Sequence, residues 1–146
     1  MNTFLPLKIL LADDDIDDCF FFNKTLNEIP LSTNLTTVND GEELMSYLHK
    51  NDKNLPDILF LDLSMPRKTG FECLSEIKED KELKDIAVVM FSTSFPSNYN
   101  YEQHMIETLK GMGAQDYIRK PGDFALLKEL IHTILINEIE KKLPNK

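Results

Sequence analysis

Positive charge is scarce in this sequence: 16 lysines and arginines stand against 25 aspartates and glutamates, for a formal net charge of −9. Binding to nucleic acid or to an anionic membrane surface depends on clustered cations, so both are disfavoured. Cysteine is nearly absent, and Cys19 and Cys73 have no metal-ligand spacing; both read as small buried apolar groups. The three histidines, His49, His104 and His132, are isolated, and none reads as a phosphodonor or ligand. No apolar run approaches the roughly 20 residues of a membrane helix. The start, MNTFLPLKIL, lacks the charged and small-residue regions of a signal peptide, so the cytoplasm is the expected location. Internal repeats, low-complexity tracts and linkers are also missing.

What remains is a chain of 146 residues, 42% of them hydrophobic, enough for one domain with a single well-buried core and an acidic surface suited to binding cations. Its organising stretch runs from Ile58 to Gly70, ILFLDLSMPRKTG. A short apolar run bounded by turn residues is the pattern of a strand buried on both faces, which belongs to a parallel sheet covered by helices. Asp62 ends that run, at the carboxyl edge where open α/β sheets bind ligands. Taken alone, such an aspartate can equally cap the next turn.

The other segments fit around it. Leu7 to Ala12 reads as a strand ending in Asp13, Asp14 and Asp15, and Ile16 to Glu28 as a helix with Asp15 as N-cap. Its Phe20, Phe21 and Phe22 cover more than one face, which predicts packing against both the sheet and a neighbouring helix. Further strands are expected at 34–38, 86–91 and 116–119, and helices at 42–49, 70–79, 103–110 and 124–142. Five strands alternating with five helices predict a doubly wound parallel α/β sheet, with all strand ends on one edge. Asp13, Asp14, Asp62, Ser92 and Lys120 stand at those ends.

Three carboxylates in one cleft repel one another, and a divalent cation removes the conflict. An oxygen-only donor set suits Mg²⁺ or Mn²⁺. A carboxylate can take a phosphoryl group as nucleophile, an ammonium such as that of Lys120 can pair with its oxygens, and the Ser92 hydroxyl can hydrogen-bond it. One by one, the aspartates can be a helix start, Ser92 a turn residue and Lys120 a solvated charge. Together at one sheet edge they point to phosphoryl chemistry.

In order along the chain, ILLADDD, LFLDLSMPRKTG, VVMFSTS and DYIRKP resemble the receiver domain of two-component response regulators, and the resemblance covers nearly the whole chain. It implies a flavodoxin-like sheet of order 2-1-3-4-5. By the same resemblance Asp62 is the phosphoacceptor, Asp13, Asp14, Asp62 and the Ser64 carbonyl hold Mg²⁺, and Ser92 and Lys120 contact the phosphoryl group. Tyr117 is the aromatic whose rotamer follows Ser92, and the Lys120–Pro121 bond is similar to the family's cis peptide. The implied partners are a sensor histidine kinase and a downstream protein or phosphotransfer partner, with a homodimer through the last two helices left open. Because the chain ends soon after its last helix, the expectation is a single receiver domain, core about 7–143, without an output domain. The Asp62 and Lys78 region is similar to stand-alone receivers paired with bacterial phytochromes.

Two features depart from the family pattern. Ser replaces the commoner Thr at position 92, followed by Thr93 where a smaller residue is usual, and the segment from Ser94 to Gly111 is longer, with Phe95, Tyr99 and Tyr101 in it. It reads either as a loop packed by its own aromatics or as a partner surface. Two other classes share part of this residue set. A phosphohydrolase of the haloacid dehalogenase type also uses an Asp, Mg²⁺ and a Lys, but it wants Thr or Val two residues past the second Asp, and Asp13 to Asp17 offers neither. A pseudo-receiver that only binds partners would not need the intact Asp13, Asp14, Asp62, Ser92 and Lys120 set.

Overall fold

The computed structural model describes residues 6–93 and 99–143. Its elements alternate: β1 (Leu7–Ala12), α1 (Ile16–Asn27), β2 (Thr33–Val38), α2 (Gly41–Lys50), β3 (Ile58–Leu61), α3 (Gly70–Glu79), β4 (Ala87–Ser92), α4 (Tyr99–Gly111), β5 (Asp116–Arg119) and α5 (Phe124–Lys142). All strand pairings are parallel, in the order β2-β1-β3-β4-β5. This is the doubly wound, flavodoxin-like sheet the sequence predicts.

The apolar runs of β1, β3 and β4 fill two cores because successive side chains of a strand face opposite sides. Leu10, Leu59, Leu61, Val88 and Met90 pack with Leu44 and Leu48 of α2, Leu74 and Ile77 of α3 and Leu109 of α4. Ile9, Leu11, Phe60, Val89 and Phe91 pack on the other face with Phe22 and Leu26 of α1 and Leu127, Ile131 and Leu135 of α5. Phe22 lies edge-on to Phe60 and Phe91, with ring centroids 4.9 and 5.6 Å apart.

The three consecutive phenylalanines do not act as the sequence suggests. Only Phe22 enters the core; Phe20 is 64% exposed and Phe21 50% exposed. Neighbouring positions on a helix are turned by about 100° from one another, so one residue of the run faces the sheet and the others turn outward. Besides the contact of Phe22 and Leu26 with the α5 core residues, α1 meets α5 through Lys24, which stands 5.7 Å from the centre of the Phe124 ring, and the Glu28–Lys128 ion pair.

Helix starts follow capping chemistry. Asp15, Asp40 and Asp123 accept backbone N–H groups of α1, α2 and α5, and Thr69 and Glu72 form a reciprocal capping box at α3. α4 begins earlier than its periodicity suggests, at Tyr99 rather than Gln103. The turn-forming tendency of Asn100 and Tyr101 yields to a tertiary anchor one residue on, where the buried Glu102 accepts hydrogen bonds from the Tyr117 hydroxyl at 3.2 Å and Arg119 Nε at 3.1 Å. Ser94, Phe95 and the Tyr99 side chain, on which the choice between a self-packed loop and a partner surface turns, lie outside the described residues. Among the described residues, no helix is long and apolar enough to cross a membrane.

Candidate functional site

Strand register assembles the site. Ala12 pairs with Leu61, so the residues that follow, Asp13 and Asp62, emerge side by side. The Asp62 N–H donates to Ala12 O at 3.0 Å, and the Asp13 N–H donates to Val38 O at 3.0 Å. On the other side Ser92 pairs with Arg119, and the Lys120 N–H donates to Ser92 O at 2.7 Å. Gly70 completes the frame: a Cβ there would stand 2.2 Å from the Asp62 carbonyl oxygen, so only glycine lets α3 start this close to the end of β3. In the loop between them Arg67 adopts a left-handed conformation with φ of 70°, and its Nε lies 3.3 Å from Asp40 Oδ2.

Each of Asp13, Asp14 and Asp62 offers a carboxylate oxygen within 4.8 Å of the others. Asp13 and Asp62 are buried, Asp14 is exposed, and Asp13 Oδ1 is occupied by the Asp15 N–H at 2.9 Å. Lys120 reaches in from the end of β5. Its Nζ lies 2.7 Å from Asp13 Oδ2, 2.9 Å from Asp18 Oδ2 and 3.9 Å from Asp62 Oδ1, above the face of Phe91. Burial, followed by repulsion from Asp13 and Asp14, outweighs the pull of Lys120 and raises the Asp62 carboxyl to about 7. Burial likewise lifts Asp13 above the usual carboxylate range. Burial works against the charged form of Lys120, yet hydrogen bonds to Asp13 and Asp18 and the charge of Asp62 prevail and raise its pKa.

The other expected residues are placed with mixed results. Ser92 is buried at the end of β4, and its hydroxyl donates to the Thr93 carbonyl at 3.2 Å. Tyr117 is half-buried on β5 with its hydroxyl committed to Glu102, so the described contacts do not join it to Ser92. Ser64 is exposed on the loop after Asp62, with its N–H directed at Asp62 Oδ1 at 3.5 Å. The expected cis peptide at Lys120–Pro121 is corrected: the described backbone contains none. Even before proline the trans form is favoured by about 0.5–1 kcal/mol, and with it Lys120 already reaches its carboxylate partners.

Sequence reasoning missed two residues. Asp18 reads locally as one more carboxylate favouring the start of α1, and nothing nearby in the chain marks it as a partner of Lys120. Glu102 stands just ahead of the helix that the periodicity marks from Gln103, although as a buried acid facing a tyrosine and an arginine it ties α4 to β5.

The chain matches the family described as response regulator receiver domain over residues 9–132. It belongs to that family. Among curated relatives of this receiver, the response regulator Rcp1 of Synechocystis sp. is 32% identical over 68% of the chain, spanning 73% of Rcp1. The two-component response regulator ARR7 of Arabidopsis thaliana is 31% identical over 92% of the chain and 66% of ARR7. The 3',5'-cyclic-nucleotide phosphodiesterase regA of Dictyostelium discoideum is 33% identical over 88% of the chain, but the match spans only 15% of regA. Of solved structures, the phosphorylated cyanobacterial phytochrome response regulator RcpA superposes with a TM-score of 0.81 at 30% identity, covering 95% of this chain and 98% of RcpA. The Mn²⁺-bound form of Rcp1 superposes with a TM-score of 0.78 at 27% identity, covering 96% of this chain and all of Rcp1 at 100%. The receiver is accordingly a phosphorylation-dependent signalling switch.

Proposed function

We propose that Asp62 is the phosphoacceptor, that a sensor histidine kinase is the donor, and that residues 7–143 act as one receiver domain. The observation that carries this is the convergence of Asp13, Asp14, Asp62 and Lys120 at one sheet edge, with the ammonium 3.9 Å from the Asp62 carboxylate. An Asp62 oxygen attacks phosphorus, the bond from phosphorus to the donor's imidazole nitrogen breaks, and the aspartyl phosphate and free histidine result. Lys120 supplies positive charge to the phosphoryl oxygens, and the Ser92 hydroxyl turns from the Thr93 carbonyl to donate to one of them.

The donor set of Asp13, Asp14 and Asp62, completed by the Ser64 carbonyl, fits Mg²⁺ or Mn²⁺, both of which prefer oxygen ligands. Bound there, the cation supplies neutralisation of carboxylate and phosphoryl charge. Burial, with repulsion from Asp13 and Asp14, raises the Asp62 carboxyl to about 7, so near neutral pH a substantial share of it stays protonated without that help, which makes the acceptor dependent on the cation. The chain turns over no separate substrate in this reading and works in the cytoplasm. Its state passes to a downstream protein or phosphotransfer partner through α4, Tyr117 and α5, the faces that also offer a homodimer contact. The likeness to the phytochrome response regulator RcpA supports a phytochrome-type kinase as donor.

Intact-protein mass spectrometry after incubation with Mg²⁺ and acetyl phosphate tests the acceptor, comparing wild type with Asp62→Asn. A hydroxylamine-labile phosphoryl adduct on wild type alone supports the reading. Absence of an adduct from both acetyl phosphate and phosphoramidate, with Mg²⁺ binding measured in the same sample, refutes it.

A further inference from the structure

We propose that Asp18 is a positioning residue: it holds the Lys120 ammonium in the unphosphorylated protein and gives it up to a phosphoryl group on Asp62. The inference rests on Asp62 being the acceptor and extends that reading to the first turn of α1.

An ammonium has three N–H donors and no acceptor. Here Asp13 at 2.7 Å and Asp18 at 2.9 Å take two, while Asp62 at 3.9 Å stands beyond hydrogen-bond range. The resting partners of Lys120 are therefore not the acceptor. Asp18 is also outside the group of three carboxylates that can share a cation. Once Asp13 serves a cation, Asp18 is the carboxylate left to restrain Lys120.

Exposure decides which partner is released. The Asp18 side chain is 32% exposed, against 0% for Asp13 and 8% for Asp62. Asp18 can rehydrate when the ammonium leaves, and the two buried carboxylates cannot. Its backbone stays in place meanwhile, because its N–H is held by the Asp15 N-cap at 3.1 Å. A phosphoryl group extends outward from Asp62, bringing acceptor oxygens into the gap that separates Lys120 from the bare carboxylate. A contact made in the unphosphorylated state and lost in the phosphorylated one favours the former, so removing it shifts the balance toward phosphorylation.

The test uses the full chain with Asp18→Asn, which keeps the shape and a polar atom, and Asp18→Glu, which keeps the charge. With Mg²⁺ and limiting acetyl phosphate, Asp18→Asn is expected to raise the initial rate of Asp62 phosphorylation by roughly three- to tenfold, the scale of one partly exposed charged contact. Asp18→Glu is expected to bring the rate back toward wild type, and in a Lys120→Gln background Asp18→Asn is expected to change nothing. In metal-free protein the Lys120 ammonium resonance is expected to move on Asp18→Asn. An unchanged or lower rate in Asp18→Asn, or a gain that persists in the Lys120→Gln background, overturns the role of Asp18. No adduct on wild type overturns the acceptor reading and the release step together, whereas the metal-free resonance reports the Asp18–Lys120 pairing independently of it.

Discussion

Asp62→Asn is expected to stabilise the metal-free protein, by an amount that grows with pH. The buried Asp62 carboxyl faces two other carboxylates, and its pKa rises from 3.8 in the free side chain to about 7 in the fold. Between those two values the unfolded chain has lost its proton and the folded one has kept it. The folded state then binds more protons, so stability is fully present below about pH 4 and is lost as pH rises through 7. At about 1.36 kcal/mol per pKa unit, ionised Asp62 costs the fold about 4 kcal/mol at pH 8, an upper figure because water and side chains rearrange around the charge. Asparagine has nearly the same shape and no charge. Urea unfolding in EDTA, followed by far-ultraviolet circular dichroism, is expected to give equal stability for wild type and Asp62→Asn near pH 4 and a gap of about 2–4 kcal/mol near pH 8. Added Mg²⁺ is expected to narrow the gap, since a ligand at 100 times its Kd stabilises by about 2.7 kcal/mol. A pH-independent gap, or an Asp62→Asn protein less stable than wild type at pH 8, would refute the reasoning that burial and carboxylate repulsion govern this site.

Three further predictions concern the frame around the acceptor. Phe22→Ala is expected to cost about 3–5 kcal/mol in urea unfolding and Phe20→Ala less than about 0.5, because one ring fills the core against Phe60 and Phe91 and the other is exposed. Gly70→Ala is expected to destabilise by about 1–3 kcal/mol and to slow phosphorylation, since its Cβ would push on the Asp62 carbonyl; wild-type stability and rate together would contradict the tight approach. Lys120→Met is expected to raise the Asp62 pKa further, by removing a cation that lowers it, and to lose most phosphorylation by acetyl phosphate; a carboxyl-carbon NMR titration reads the first effect and mass spectrometry the second.

Much of this protein is written in short windows of its sequence. The runs of β1, β3 and β4 read as strands buried on both faces because they are almost wholly apolar, with Lys8 the one charged residue inside them, and α3, β5 and α5 fall where the periodicity places them. The position of Asp62 at the end of a buried strand follows from the same local pattern, and so does the Asp15 cap of α1. Once five strands are parallel, the convergence of Asp13, Asp14, Asp62, Ser92 and Lys120 on one edge follows from topology.

Tertiary structure decided what no window of sequence contains. Lys120 and Asp13 are 107 positions apart, and only the register of β1, β3, β4 and β5 brings them within 2.7 Å. The choice of Phe22 over Phe20 and Phe21 depends on the angle at which α1 meets the sheet. Asp18 and Glu102 became partners of Lys120, Tyr117 and Arg119 because neighbouring helices deliver them, although Asp18 looks locally like one more acid at a helix start and Glu102 lies ahead of the helix that periodicity marks. Local periodicity records which face of an element is apolar. Where a charge finds its counter-ion is set by how those faces stack, and that information is spread over the whole chain.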